Sequence, residues 1–494
     1  MLHFKSVDLA KVKTDTLIIP VCEDKDIHDD ATLLMLIRKI KELKEFKGEK
    51  GDLLTFYNPA DIKVVRLMVM GLGKLEKLNM ETLRAMAGKA VKESIKKEQS
   101  QIMIAVPAAE KIHLTIQEAL EALMEGACLG NHIFDKYKKE KKHKPLKEIH
   151  LLVPPGVAKT HRQLPERIQT VCRGTILARE WVSTPPNDKV PGTFSKSIAG
   201  PARKAKLKVT VWGEKELSQK KFGAVLAVAA GSQNKPRMVI LEHRPKGAKK
   251  TVVLVGKGVT FDSGGINLKP TASLEDMKLD MSGAAAVAAT LITVSKLKSK
   301  IRVVGIIPIV ENMPSGNATR PGDIIKSYQG KTIEIGNTDA EGRLILIDAL
   351  AYGAKTYKPD ALIDLATLTG ACVVALGEKI AGVFSFDDQL AEAVLLSGAK
   401  TDERCWRMPL PEDYKELLKS DFADLNNMSH TRYGGAITAA LFLSEFVGDT
   451  RWAHIDIAGP AYSKKESAYC GAGGTGFGVR LLCDLLENCD RLFP

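Results

Sequence analysis

The sequence predicts an α/β protein of two domains, a smaller N-terminal α/β sandwich and a larger C-terminal mixed sheet covered by helices on both faces. Three observations carry this. The chain has 494 residues, more than a single core accommodates, since cores stop growing at about 250–300 residues. Short apolar runs alternate with longer stretches of helical period along the whole chain. In the second part the apolar runs are continuous rather than alternating, as in strands buried on both faces.

In the first part, strands are expected over 16–21, 53–57, 64–70, 102–106 and 149–153, and helices over 31–46, 80–97 and 115–128. The strands should be mostly parallel. A helix over 162–182 should act as connector, stopped at Thr184-Pro185-Pro186-Asn187 because proline restricts its predecessor and lacks a donor. This divides the chain into 1–160, a connecting segment 161–186, and 187–494. The second part should hold strands over 207–212, 224–229, 238–242, 251–255, 303–309, 361–365 and 453–457. Its helices should fall over 283–297, 341–356, 388–399, 414–420, 437–447 and 478–486. The glycine-rich segment 467–477 reads as a flexible loop.

Composition narrows the class. With 45% hydrophobic and 27% charged residues, the chain is ordinary for a globular protein. No window approaches the roughly 18 uninterrupted apolar residues of a membrane span, so no membrane partner is expected. The start, Met1-Leu2-His3-Phe4-Lys5, is not a basic region leading into an apolar run, so no signal peptide is expected. Eight scattered cysteines without a Cys-x-x-Cys pair read as reduced thiols. Together these predict a cytoplasmic protein. The net charge is +13, and the run 136–147 carries seven lysines. That run reads as a solvated surface or, more sharply, as a phosphate-binding patch, which leaves nucleic acid open as a partner class.

The chemistry concentrates in two clusters. Residues 337–343 read Asn-Thr-Asp-Ala-Glu-Gly-Arg, placing Asp339, Glu341 and Arg343 in alternation. Carboxylates this close repel unless a cation lies between them. Upstream, 256–265 read Gly-Lys-Gly-Val-Thr-Phe-Asp-Ser-Gly-Gly, followed by Lys269 and Asp280. Lys257, Asp262, Lys269, Asp280, Asp339 and Glu341 thus point to a carboxylate-rich two-metal site at strand ends. A dinucleotide or P-loop reading fails, because Phe261 stands at the third glycine position and no Gly-Lys-Ser/Thr follows. Each residue also has a plainer reading. Asp280 would cap a helix, Asp339 and Glu341 would complement a helix dipole, Lys257 would be a charge partner, and Arg343 a surface arginine.

These clusters, with Asn267-Leu268-Lys269-Pro270, Met277-Lys278-Leu279-Asp280, the Glu-Asn-Met-Pro-Ser-Gly-Asn run at 311–317, the Asp-Leu-Ala-Thr-Leu-Thr-Gly run at 364–370 and the Trp-Ala-His-Ile-Asp-Ile-Ala-Gly run at 452–459, closely resemble the leucyl (cytosol) aminopeptidase family. The likeness covers about residues 180 to 490. The N-terminal part resembles the family in layout only, as a macro-domain-like sandwich.

The resemblance implies peptide substrates, a homohexamer, and two divalent metal ions per subunit, Mn²⁺ or Zn²⁺ with Mg²⁺ as a third candidate. One ion would be held by Lys257, Asp262, Asp280 and Glu341, the other by Asp262, Asp339 and Glu341. Lys269 would polarise the scissile carbonyl, and Arg343 would hold a bicarbonate that shuttles a proton. Met277, Asn337, Thr367, Leu368 and Gly370 would contact substrate, the apolar ones favouring Leu or Met side chains. Core packing is an equal reading of Met277, and His454 reads as a core histidine. Gly336 departs from the family pattern, which has a larger residue, and is expected to loosen the preceding segment. The rivals are a nucleic-acid-binding regulator and a two-metal phosphoesterase, the latter without a recognisable phosphate loop.

Overall fold

The computed structural model describes residues 1–60 and 62–493. The chain forms two compact units, Met1–Cys172 with Lys465–Ala472, and Arg173–Lys464 with Gly473–Pro494.

In the first unit, strands β1 (Leu2–Lys5), β2 (Thr16–Cys22), β3 (Leu53–Tyr57), β4 (Arg66–Gly73), β5 (Gln101–Ala105) and β6 (Glu148–Leu152) form one sheet in the order β1-β6-β5-β2-β4-β3. All neighbours pair parallel except β3 with β4. From β2 the sheet grows in both directions, toward β4 on one side and β5 on the other. Helices α1 (Ala31–Lys41), α2 (Met80–Lys96) and α3 (Ile116–Gly130) begin at side-chain caps from Asp30, Asn79 and Thr115. Leu33, Leu36 and Ile37 of α1 bury against Leu17 and Ile19 of β2. α1 stops at Lys41 rather than 46. The lysine run falls in the connection to β6, where residues 136–145 are all exposed.

The segment 465–472 is not a free loop. Lys92 of α2 donates to the carbonyls of Ser467 (2.6 Å) and Cys470 (2.9 Å). The Tyr469 hydroxyl donates to Glu81 (3.2 Å). The glycines that signalled a loop in the sequence say nothing about these acceptors.

The second unit begins within the helix Leu164–Ser183. Its main sheet contains β7 (Lys208–Trp212), β8 (Arg237–His243), β9 (Thr251–Gly256), β10 (Gly258–Asp262), β11 (Arg302–Asn312), and, after the short β12 (Ile324–Lys326) and β13 (Thr332–Glu334) of a separate three-stranded sheet, β14 (Ala361–Ala366), β15 (Ala381–Phe384) and β16 (Cys405–Arg407). β17 (Leu425–Asn426) completes the small sheet and β18 (Trp452–Asp456) the large one. The large sheet runs β16-β15-β18-β14-β9-β11-β8-β7, and β10 also pairs with β11. β9 and β10 therefore lie end to end along one side of the long β11, both parallel to it. The break between them is Lys257.

Residues 224–229 are not a strand but part of the helix Gly223–Ala229. A short apolar run does not distinguish the two. The Asp348 carboxylate decides it by accepting from the first free amides, Ala224 (2.9 Å) and Val225 (3.1 Å). Expected helix 414–420 is a 3-10 turn, Glu412–Leu418. The helix Pro191–Lys204 goes unread because Gly192, Gly200 and Pro201 disguise it. The stretch Thr271–Lys296 has the length and hydropathy of a membrane span, yet 83% of its apolar window is buried in this unit. Eight free cysteines are present and no disulfide joins them.

Candidate active site

Lys257 and Asp262 lie at the carboxyl ends of parallel strands, where open α/β sheets place their sites, and Lys269, Asp280, Asp339 and Glu341 reach the same place from loops and a helix start. Lys257 occupies the β9–β10 break, fixed by its amide donating to Leu365 O (3.1 Å) and its carbonyl accepting from Ala284 (2.8 Å). Asp262 ends β10, in register with Asn312 at the end of β11. Asp280 follows the 3-10 turn Met277–Leu279. Glu341 is the first residue of the helix Glu341–Tyr357, and Ala340 precedes it as cap. Asp280 does not cap the helix Ser282–Lys296, whose cap position is Met281.

The carboxylates of Asp262, Asp280 and Glu341 converge so that one oxygen from each lies within 4.8 Å of the others. All three are between 2% and 4% exposed. Lys257 spans two of them, with Nζ 2.7 Å from Asp280 and 2.9 Å from Glu341, and it also donates to Thr367 O (2.9 Å). Lys269 spans the other pair, 2.9 Å from Asp262 and 2.5 Å from Asp339. Thr367 Oγ1 donates to Asp280 Oδ1 (2.7 Å), and Asp280 Oδ2 has no partner among the described residues.

The electrostatics follow from crowding in a dry site. Burial and the charges of Asp262 and Asp280 push the Glu341 carboxyl up to about 8, against the pull of Lys257 and Lys269. Burial, with Asp262, pushes Asp280 up to about 6. Burial also raises Asp339. Burial opposes the charge on Lys257, but Asp280, Glu341 and Asp262 outweigh it and its pKa is raised. Lys269 is raised in the same way by Asp262 and Glu341. Carboxyls held up by burial and, secondarily, by mutual repulsion, one with an unpartnered buried oxygen, are the donor set a divalent cation satisfies.

Arg343 is not a surface residue. It is 8% exposed, and burial lowers its pKa to about 10 despite Glu341 and Asp456. Its Nη1 donates to Asn427 O (2.8 Å). Gly342 makes room for Lys257, since a Cβ there would lie 2.5 Å from Lys257 Cε.

Two asparagines escaped the sequence reading. Asn312 donates to Asp262 Oδ1 (2.8 Å) and to Thr338 O (3.1 Å), tying the upstream cluster to the downstream one. Asn427 accepts from Gly336 (2.7 Å) and Asn337 (3.2 Å), donates to Asn337 O (2.8 Å), and receives Arg343. Asn312 lay inside a quoted motif but carried no charge to mark it. Asn427 lies in no motif.

A cavity of about 300 Å³ opens over the site. Met277, Thr367, Leu368 and Gly370 line it with the charged residues, as do Ser273, Val373 and Ala458, which the sequence did not single out. Asn337 is not among its described lining residues. Its side chain instead accepts from the Asp339 amide (2.7 Å) and shapes the loop. His454 is buried in β18, with Nδ1 2.7 Å from Asp364.

Gly336 is held small by packing. A Cβ there would meet Asn426 Oδ1 at 2.6 Å, and that oxygen already accepts from Met428 (2.9 Å). Gly336→Ala is expected to cost about 1–3 kcal/mol through this overlap. Chemical denaturation that gives an unchanged midpoint would remove the packing argument.

The catalytic-domain description of the cytosol aminopeptidase family matches residues 176–483, and its N-terminal-domain description matches residues 20–141. A relative from Geobacter sp. (strain M21), named "probable cytosol aminopeptidase", is 43% identical, covering 93% of both chains. One of the same name from Chlorobium limicola is 42% identical over 97% of this chain and 98% of its own. Among solved structures, the bottromycin maturation enzyme BotP in complex with Mn superposes with a TM-score of 0.87 at 34% identity, covering 96% of this chain and 99% of BotP. With both family domains matched and near-full-length relatives at this identity, the chain belongs to the cytosol aminopeptidase family and is a metallo-exopeptidase.

Proposed function

We propose that this chain removes apolar N-terminal residues, leucine foremost, from peptides with the help of two divalent ions, Mn²⁺ or Zn²⁺ with Mg²⁺ as a third candidate. Lys257, Asp262, Asp280 and Glu341 would hold one ion, and Asp262, Asp339 and Glu341 the other. For Lys257 to serve as a ligand its ammonium must lose a proton, which cationic neighbours favour. When bound, the ions would supply Lewis acidity and lower the pKa of water.

The protein's own groups have separate tasks. Lys269 is cationic and opens to the cavity, so it can donate to the scissile carbonyl oxygen as negative charge develops there. Arg343 stands buried beside the carboxylates with spare donors, which suits it to hold bicarbonate as the proton carrier between water and leaving amine. Met277, Leu368, Gly370 and Val373 give the cavity an apolar wall for the first side chain. The convergence of Asp262, Asp280 and Glu341 with Lys257 and Lys269 is the observation that carries this reading.

The test is product release from leucyl-p-nitroanilide after chelation, with Mn²⁺, Zn²⁺ or Mg²⁺ then restored. Metal-dependent turnover that exceeds turnover of glutamyl and lysyl anilides is expected. Equal turnover of all three would overturn the apolar preference. We further propose a cytoplasmic homohexamer, which sedimentation of the metal-loaded protein checks.

Asn312 is expected to act as a positioning residue. Asn312→Ala should weaken Mn²⁺ binding or activity by about 10–100-fold, the usual cost of losing support to a metal ligand. Titration of Mn²⁺ into chelated protein reads this directly, and unchanged affinity and turnover would show that Asp262 needs no such support.

A further inference from the structure

A cavity in the first unit is remote in sequence from every residue of the catalytic clusters. It measures about 630 Å³, within the range of small-molecule sites. It is built by the segments that follow the carboxyl ends of β1, β2, β5 and β6. β2 is the strand from which the sheet grows both ways, so the cavity lies where a parallel sheet leaves a crevice for a ligand.

Its walls are apolar, with Leu9, Leu33, Val106, Leu152 and Val157 among them. Its ionisable side chains tell which ligand fits. Asp8, Asp29, Asp30 and Glu110 line it, and no lysine or arginine does among the described residues. Lys111 stands nearby, but its ammonium is committed to Asp29 (2.6 Å) and His28 O (2.6 Å), so Lys111 and Asp29 offset one another and the remaining acids leave the lining net negative. The start of α1 offers no anion site, because Asp30 already accepts from Thr32 (2.9 Å) and Leu33 (3.0 Å). His28 is buried, with Nε2 2.7 Å from Pro20 O. Nε2 must donate there, and burial keeps the imidazole neutral by lowering its pKa, so Nδ1 is an acceptor. An apolar chamber whose ionisable lining carries acids and no lysine or arginine disfavours phosphates and carboxylates and favours a hydrogen-bond-donating cation.

We propose that this cavity is a binding site, separate from the catalytic one, for an apolar primary amine: a hydrophobic body carrying an ammonium. The proposal does not depend on the peptidase reading. The test uses the full-length protein and three molecules of one shape, 4-phenylbutylamine, 4-phenylbutan-1-ol and 4-phenylbutanoate. Binding is read by calorimetry and located by hydrogen exchange. The amine is expected to bind about fivefold more tightly than the alcohol, the upper size of an exposed ion pair at about 1 kcal/mol, and the acid not at all. Protection should fall on residues 28–33, 105–109 and 152–157.

Asp29→Asn with Glu110→Gln should bring the amine down to the affinity of the alcohol. Val106→Arg, at a half-buried position, should abolish binding of both. An unchanged circular dichroism spectrum and unchanged hydrogen-exchange protection of the first unit's strands in the unliganded variants certify their fold. Equal or tighter binding of the acid, no protection of the three segments, or undiminished amine binding by Val106→Arg would each overturn the proposal.

Discussion

Glu341→Gln is expected to leave a folded protein with less than about a thousandth of the parent's turnover. The side chain is 2% exposed and its carboxylate belongs both to the converging trio and to the Lys257 pair. Loss of one ionised member of such a buried cluster is worth about 4 kcal/mol, which corresponds to roughly a thousandfold. Glutamine has the shape of the protonated acid. Burial already pushes this carboxyl up to about 8, so near neutral pH the metal-free protein tolerates an uncharged group there. The two effects are therefore separable. Chelated parent and chelated variant should unfold at similar temperatures, whereas added Mn²⁺ should stabilise only the parent, by linkage. A variant that gains the same stabilisation from Mn²⁺ and turns over normally would remove Glu341 from the metal site.

Lys269→Met is expected to lower kcat by about 10²–10³ with little change in KM, the signature of a donor that acts in the transition state. The methionine keeps most of the stem's volume and removes only the ammonium. In the parent this ammonium bridges Asp262 and Asp339, and those acids keep it charged well above neutral pH despite partial burial. Lys269→Arg should recover part of the rate, since charge returns in a wider geometry. A large rise in KM with kcat intact would instead make Lys269 a group that binds the ground state.

The site was legible in the sequence to the extent that its residues are charged and clustered. Asp262, Asp339 and Glu341 cannot sit so close without a cation or lysine partners, and the fold supplies both lysines at hydrogen-bonding distance. Asn427 was invisible because a lone asparagine far from the clusters carries no sign of what it will touch. The same holds for helix Gly223–Ala229, whose cap lies at Asp348. Most strands could be read because continuous apolar runs have few alternatives in a buried sheet. The short β10 could not, since its residues serve the loop chemistry as well as the ladder. Arg343 was misplaced toward the surface in one reading because guanidinium groups are seldom buried. Here the backbone of Asn427 and the charges of Glu341 and Asp456 offset only part of that cost.

The docking of residues 465–472 on α2 has a consequence for how the protein is made. The first unit lacks its last piece until almost all of the second has left the ribosome. Until then the α2 surface that receives Tyr469 stays uncovered. Maturation of the earlier unit therefore waits on the completion of the later one, although domains usually fold in order of synthesis. A fragment ending at Cys172 would stay fixed at that unfinished stage.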